Sequence, residues 1–223
     1  MKKKKLDLLY EDKNLLIVSK PSKLLTVGTE KQRTNTLYQE VSAYVKKQHP
    51  KNKVFIVNRL DRDTSGIVVF AKNEKLKKEI QDHWSDWAKN REYLAVVEGR
   101  MDRKKGTIKN YLYEDKRFYV HETSDVSKGA LAITHYEVLK ETNKYSLLKI
   151  QIATGRKNQI RVHLKSLNHP IIGDKKYGAT KNPLGRLGLH AIRLDLVVPT
   201  IKKDLHINTE VPVEFFKMFD KSN

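Results

Sequence analysis

The sequence predicts an α+β fold: one domain over residues 1–223, built on a large, mostly antiparallel mixed β-sheet flanked by helices and loops, with a central basic cleft. Three observations lead there. Short apolar runs separated by turn signals dominate the middle of the chain, as strands do. Stretches with apolar residues three and four apart interrupt them, as helices do. No Pro/Gly/Ser-rich linker divides the 223 residues, which are ample for a hydrophobic core.

Residues 1–7 read as a basic tail. Leu8–Tyr10 and Leu15–Val18 read as strands, and "KPSK" turns the chain after the second. Thr36 and Gln39 have the spacing of a capping box, and Leu37, Val41, Tyr44 and Val45 share a helical face, so a helix runs to about Gln48. "IVVFA", Ile67 to Ala71, is a buried strand. Asn73 caps a helix with Leu76, Ile80, Trp84 and Trp87 on one face. That spacing favours core packing over tryptophans that stack on bases. "EYLAVVE", Glu92 to Glu98, is a strand closed by Gly99, and Thr107–Tyr113, Ala130–Leu139 and Ser146–Ala153 follow as strands. In the last of these, Leu148, Ile150 and Ile152 alternate with polar residues, as in a half-buried antiparallel strand. "NQIRVHLKSL" sets Ile160, Leu164 and Leu167 on one helical face. "LHAIRLDLVV" is a strand, and "VPVEFFKMF" a terminal helix from near Pro212.

The chain has 45 Lys/Arg against 26 Asp/Glu, a formal charge of +19. Such an excess points to a polyanionic partner, nucleic acid before membrane, against the plainer reading of a solvated Lys-rich surface. Cysteine is absent, which removes disulfides, thiol nucleophiles and Cys-ligated metal sites and fits a cytoplasmic protein. Acidic residues interrupt the apolar part of the N-terminus, so no signal sequence forms, and no run approaches the roughly 20 apolar residues of a membrane span.

Several chemistries find no support. There is no phosphate-binding G-x-x-x-x-G-K-[ST] loop, no dinucleotide fingerprint, no H-E-x-x-H and no serine elbow. The histidines, among them His163, His169 and His190, lack the spacing of metal ligands. From Gly155 to Arg193 there are nine Lys/Arg and one acid, Asp174. Lys157, Arg161 and Lys165 recur every four residues and predict a basic stripe on a helix, able to neutralise phosphates or simply to face water.

The stretch "NRLDRDTSGIVVFAKN", Asn58 to Asn73, sets two carboxylates among arginines. Asp63 and Thr64 suit a turn that satisfies backbone amides before the strand. A D-x-D pair also suits a divalent cation, as in a metal-dependent nuclease, but Arg59 and Arg62 crowd the same turn. Positive neighbours favour the ionised form of Asp61, making it a candidate nucleophile or base.

This stretch resembles the H-R-L-D-x-x-T-S-G motif of the RluA-type RNA pseudouridine synthases. "IATGRKNQIRVHLKSLNHPIIGDKKYG", Ile152 to Gly178, resembles their T-G-R-x-H-Q-I-R-x-H-L signature with the H-P-I-x-G-D and Y-G that follow. "REYLAVVEG" resembles their Y-x-A-x-V-x-G strand. "LLYEDKNLLIVSKPSKLL" and "LHAIRLDLVVP" match as well, so the resemblance runs from about Leu8 nearly to the C-terminus. It implies a single catalytic domain: an isomerase, an intramolecular transferase, that converts a uridine of ribosomal or transfer RNA to pseudouridine without cofactor or metal. By position, Asp61 is the catalytic aspartate, Tyr93 the tyrosine against the target base and Arg161 the arginine that pairs with the aspartate. Arg59, Arg62, Arg156 and Lys157, with Gln159 and Lys165, are the expected RNA contacts, and a cytoplasmic monomer is expected. The target nucleotide must leave its stack to be reached.

The match departs at Asn58 and Asn158, where the family usually has His; the two are expected to share a neighbourhood. Arg91 stands where Lys is frequent. An S4-type appendage before the domain is not expected, so recognition is expected from the domain itself with "MKKKK". A non-catalytic RNA-binding or ribosome-assembly protein on the same scaffold is the competing reading, and it has no need of Asp61.

Overall fold

The computed structural model describes residues 6–30 and 32–219. Residues 1–5, most of the expected basic tail, lie outside the described residues. Eleven strands form among the described residues: β1 (Leu8–Glu11), β2 (Leu15–Lys20), β3 (Phe55–Ile56), β4 (Ser65–Ala71), β5 (Ala88–Glu98), β6 (Lys105–Glu114), β7 (Val120–Thr123), β8 (Ala130–Glu141), β9 (Tyr145–Ile152), β10 (Leu189–Val198) and β11 (Lys203–Asn208). Five α-helices accompany them: α1 (Leu37–Gln48), α2 (Glu74–Asp82), α3 (Trp84–Trp87), α4 (Gln159–Ser166) and α5 (Val213–Lys217). The fold class is the expected α+β, with mostly antiparallel pairing. The chain divides into two compact units, one running to Lys89 and including Ala191–Glu210, the other made of Asn90–His190 and the residues from Val211 on.

In the first unit the strand order is β1-β2-β4-β10, with β3 on β4 and β11 on β10. β2 and β4 run antiparallel, Leu15 opposite Ala71 and Lys20 opposite Gly66. Every residue of β4 is buried, as its unbroken apolar run requires. Helix α1 begins where Thr36 accepts a hydrogen bond from the Gln39 amide, but the Gln39 side chain donates to the Arg33 carbonyl, so the capping box is only half formed. Asn73 caps α2 through the Leu76 amide at 2.7 Å. The single helix expected through Trp87 is broken at His83, and the tryptophans sit on the separate turn α3. Both still pack against the core formed by Leu15, Ile17, Val69, Leu76 and Ile80, and Trp87 also stacks on His83.

In the second unit the order is β5-β9-β8-β6-β7. The pairings β5–β9, β9–β8, β8–β6 and β6–β7 are all antiparallel. One face of β5 and β9 supplies Ala95, Val97, Leu148 and Ile150 to a core that α4 covers with Ile160 and Leu164. Full burial of each of the Val, Leu and Ile side chains contributes about 1.5–3 kcal/mol. That anchorage fixes α4, and therefore Arg161, against the sheet.

Candidate active site

Asp61 lies on the loop that leads into β4, and the first unit holds that loop from several sides. Lys20, at the end of β2, is fully buried. Its Nζ donates to the carbonyls of Pro21 at 3.0 Å, Leu24 at 2.7 Å and Arg62 at 2.9 Å. Thr26 Oγ1 donates to the Leu60 carbonyl at 2.8 Å and accepts from the Leu60 amide at 3.3 Å. Ser22 Oγ donates to the Asp63 carbonyl at 2.6 Å. The backbone is thus tied at 60, 62 and 63, on both sides of Asp61, and the half-buried carboxylate projects from a fixed frame. Gly66 completes it. Its φ is +115°, and a Cβ there would stand 2.2 Å from the Ala191 carbonyl oxygen, so only glycine lets β4 start so close to β10.

Arg59 is exposed. Arg62 folds back on Asp63, Nε to Oδ1 at 3.2 Å and Nη2 to Oδ2 at 3.3 Å. Asp63 is therefore the partner of an exposed guanidinium, where backbone amides were expected to engage it.

Tyr93 and Arg161 belong to the second unit. Tyr93, half-buried on β5 opposite Ile150 of β9, packs against the core that includes Ile160 and Leu164. Two residues before it, Arg91 donates through Nη2 to the Ala153 carbonyl. Burial pushes the Arg91 pKa down and the charge of neighbouring Tyr93 pushes it up, with a net lowering.

Arg161 is buried, and its guanidinium grips Asp174 with two bonds of 2.7 Å, Nε to Oδ2 and Nη2 to Oδ1. Nη1 donates to Asn158 Oδ1 at 3.0 Å, and the guanidinium lies 4.8 Å from the centre of the Tyr177 ring. Asp174 Oδ1 also accepts from the Tyr177 amide, capping a 3-10 turn at Lys175–Tyr177. Asn158 Nδ2 donates to the Tyr177 hydroxyl at 2.8 Å. Burial raises the Tyr177 pKa, and the Asn158 hydrogen bond opposes it. The sequence reading noted Asp174 as the lone acid of the basic half and missed its role. A separation of 13 residues carries no periodic signal; the only hint was the isolation of that carboxylate among nine cations. The two asparagines have separate partners: Asn58 Oδ1 accepts from the Val69 amide at 2.8 Å, while Asn158 serves Arg161 and Tyr177.

One expectation for this helix is corrected, and another meets a buried side chain. Gln159, expected among the RNA contacts, is buried: its Oε1 accepts from Thr154 Oγ1 and the Arg156 amide, and its Nε2 donates to the Ile133 carbonyl and Thr134 Oγ1. All four of its hydrogen-bonding positions are filled inside the protein. The four-residue repeat does not make an exposed basic stripe. Asn158 adopts φ +53° and the helix starts only at Gln159, so Lys157 lies off it, while Arg161 turns inward to Asp174. Lys157 pairs with Glu114. Lys165 is exposed, as is Arg156, whose Nε donates to the Leu131 carbonyl at 3.0 Å. His163 is fully buried between Thr134 Oγ1 at 2.9 Å and Asn110 Oδ1 at 2.7 Å, and burial pushes its pKa down to about 4. A neutral ring with Nε2–H donating to Asn110 satisfies both contacts.

Asp61, Arg59 and Arg62 therefore share one loop of the first unit, and Tyr93, Arg156, Lys157, Gln159, Arg161 and Lys165 lie in the second. The first unit thus supplies a braced carboxylate, and the second an aromatic strand residue and an anchored guanidinium.

The family model for RNA pseudouridylate synthase matches residues 14–166. This chain belongs to that family and carries its isomerase-type synthase domain. It is 38% identical over 198 residues to the uncharacterized RNA pseudouridine synthase YhcT of Bacillus subtilis (strain 168), covering 87% of this chain and 65% of that one. It is 33% identical over 198 residues to the ribosomal large subunit pseudouridine synthase D of Borreliella burgdorferi, covering 86% of this chain and 61% of that one. The chain thus spans less than two thirds of both relatives. Among solved structures, human RNA pseudouridylate synthase domain containing 4 shares the fold, with a TM-score of 0.77 at 24% identity over 94% of this chain and 90% of that one. Among the described residues, no helix is long and apolar enough to cross a membrane.

Proposed function

We propose that this chain isomerises a uridine of ribosomal or transfer RNA to pseudouridine, with Asp61 as the catalytic carboxylate. The observation that carries the reading is the bracing of the Asp61 loop. Buried Lys20, Thr26 and Ser22 tie the backbone on both sides of a half-buried carboxylate, and such positioning is what a reacting group requires. The name of the Borreliella relative supports ribosomal RNA as the substrate.

The reaction breaks the N1–C1′ bond and forms a C5–C1′ bond; C5 loses its hydrogen and N1 gains one, so the composition is unchanged. Uracil departs with the bonding pair and leaves C1′ electron-poor, and a carboxylate at that carbon acts as it does in glycoside hydrolysis. The detached uracil must turn without leaving. The Tyr93 face suits a flat ring in rotation. Arg161, held by Asp174 and Asn158, supplies a fixed positive charge with little reorganisation, the role assigned to it toward Asp61. Arg59, Arg62, Arg156, Lys157 and Lys165 are the phosphate contacts of this reading.

Mapping pseudouridine across cellular RNA with and without the protein identifies the site. In the same assay, Asp61→Asn should reduce modification to background while RNA affinity stays within about twofold, the loss of an acid–base or nucleophilic group costing about 10²-fold or more. Full turnover by that variant refutes the reading.

A further inference from the structure

The β6–β7 hairpin carries an arrangement that the proposed chemistry does not use. One carboxylate builds its tip: Asp115 Oδ1 accepts from the amides of Arg117 at 2.8 Å and Tyr119 at 2.9 Å, and Oδ2 meets His121 Nε2 at 2.9 Å. The Phe118 amide donates to the Asp115 carbonyl at 2.9 Å. This turn holds Phe118 at φ +60°, a conformation that bulky L residues rarely adopt, and leaves it 70% exposed. A large apolar ring is thus kept in water on a strained but fixed backbone.

Its surroundings are rings and cations in alternation. Lys157 Nζ lies 5.3 Å from the Phe118 ring centre. Lys176 Nζ donates to the Phe118 carbonyl at 2.8 Å and lies 5.2 Å from the Tyr119 ring centre. Tyr119 tilts against Tyr177 at 4.8 Å, and Tyr177 lies beside Arg161. Lys116 and Arg117 are exposed at the tip. A single exposed apolar residue means little by itself. Here the ring stands among ammonium and guanidinium groups, which suits a strand that offers base faces and phosphates together. A protein-binding hot spot would have an apolar surround.

We propose that Phe118 is a stacking platform for an unpaired base of bound RNA, with Lys116 and Arg117 on the adjacent phosphates. This deepens the reading of the chain as an RNA-modifying enzyme and rests on it for the identity of the ligand.

The test uses the full chain and a fluorescein-labelled uridylate decamer, followed by anisotropy. Phe118→Ala should weaken binding about 5- to 150-fold with the salt slope unchanged, because stacking is not a counterion effect. Phe118→Tyr should bind within about twofold of wild type. Lys116→Ser with Arg117→Ser should instead lower the slope of log affinity against log salt by about 1.4. A decamer carrying 5-iodouridine should photocrosslink at Phe118. Unimpaired binding by Phe118→Ala overturns the proposal, and so does a decamer that fails to bind wild type, since one unpaired base is all the platform requires. Capture of a protein at Phe118 with RNA binding untouched overturns it as well. Phe118-dependent binding with no pseudouridine formed by the chain would remove the proposed activity and leave this inference. Pseudouridine formed with Phe118→Ala binding intact would do the reverse.

Discussion

Two arginine–aspartate pairs, one in each unit, show how location sets the worth of the same chemistry. Arg62 meets Asp63 at 3.2 Å with side chains 60% and 35% exposed. Arg161 meets Asp174 at 2.7 Å with side chains 10% and 1% exposed. The first pair gains little, because water screens it and two mobile side chains must be ordered; such pairs are worth about 0–1 kcal/mol. The second has lost its water, and the protein replaces that solvation with two parallel hydrogen bonds, the Asn158 oxygen and the Tyr177 ring. Its value lies in fixing the guanidinium, since the cost of desolvation offsets much of the attraction. The exposed pair remains available to exchange partners.

The largest effect should come from cutting the buried pair at one end. Asp174→Ala strands a guanidinium in the interior and should cost about 3–5 kcal/mol, roughly 10 °C in Tm, by thermal or urea unfolding. A loss below about 1 kcal/mol would show that the interior solvates Arg161 without Asp174. Lys20→Met tests the other buried cation. It leaves the carbonyls of Pro21, Leu24 and Arg62 without their donor and should cost about 3 kcal/mol, with pseudouridine formation falling as the Asp61 loop loosens. Unchanged turnover would separate that bracing from catalysis.

The pH dependence probes the second unit's interior in a different way. His163 has a folded pKa of about 4 against 6.5 for the free side chain. Between those values the unfolded chain binds a proton that the folded chain does not, so stability is complete above pH 6.5 and falls as pH drops toward 4. The loss over that window should be about 3 kcal/mol, read as a shift of the urea midpoint, and His163→Gln should flatten it. Asp12 in the first unit titrates elsewhere. Burial pushes its pKa up, but the amides of Leu15 and Asn14 outweigh it and hold the value at about 2. Its contribution is present above pH 3.8 and disappears as pH falls through 2, so the two windows are separable. The smallest effect belongs to the exposed pair: Asp63→Asn should change stability by less than about 1 kcal/mol. A cost as large as that of Asp174→Ala would mean that burial is not what distinguishes the two.

Much of the fold was legible in the residues because it is local. The unbroken run Ile67–Ala71 became the fully buried β4, Asn73 caps α2, and the alternation of Leu148 and Ile150 lies on the core face of β9. The three missed strands have weak signals: β3 is two residues long, β7 is four, and β11 alternates exposed and half-buried positions along most of its length. The helix expected through Trp87 failed at His83, where periodicity continues across a break in the backbone. In the candidate site, the Asp61 loop was recognisable from its own motif. Its supports at Lys20 and Thr26 were not, because nothing in "KPSKLLT" reveals that its side chains close on carbonyls 42 and 34 residues away.

The sequence by itself determined most of the longer strands and helices, which family motifs are present and where the charge accumulates, since these depend on neighbours along the chain. Only the tertiary structure decided that Gln159 is sealed inside, that Lys157 stands off its helix, and that Arg161 takes Asp174 as a partner. Partner choice between distant residues follows from which elements pack side by side and exclude water. A hydrogen bond or ion pair gains its strength there, and no repeat in the sequence encodes it.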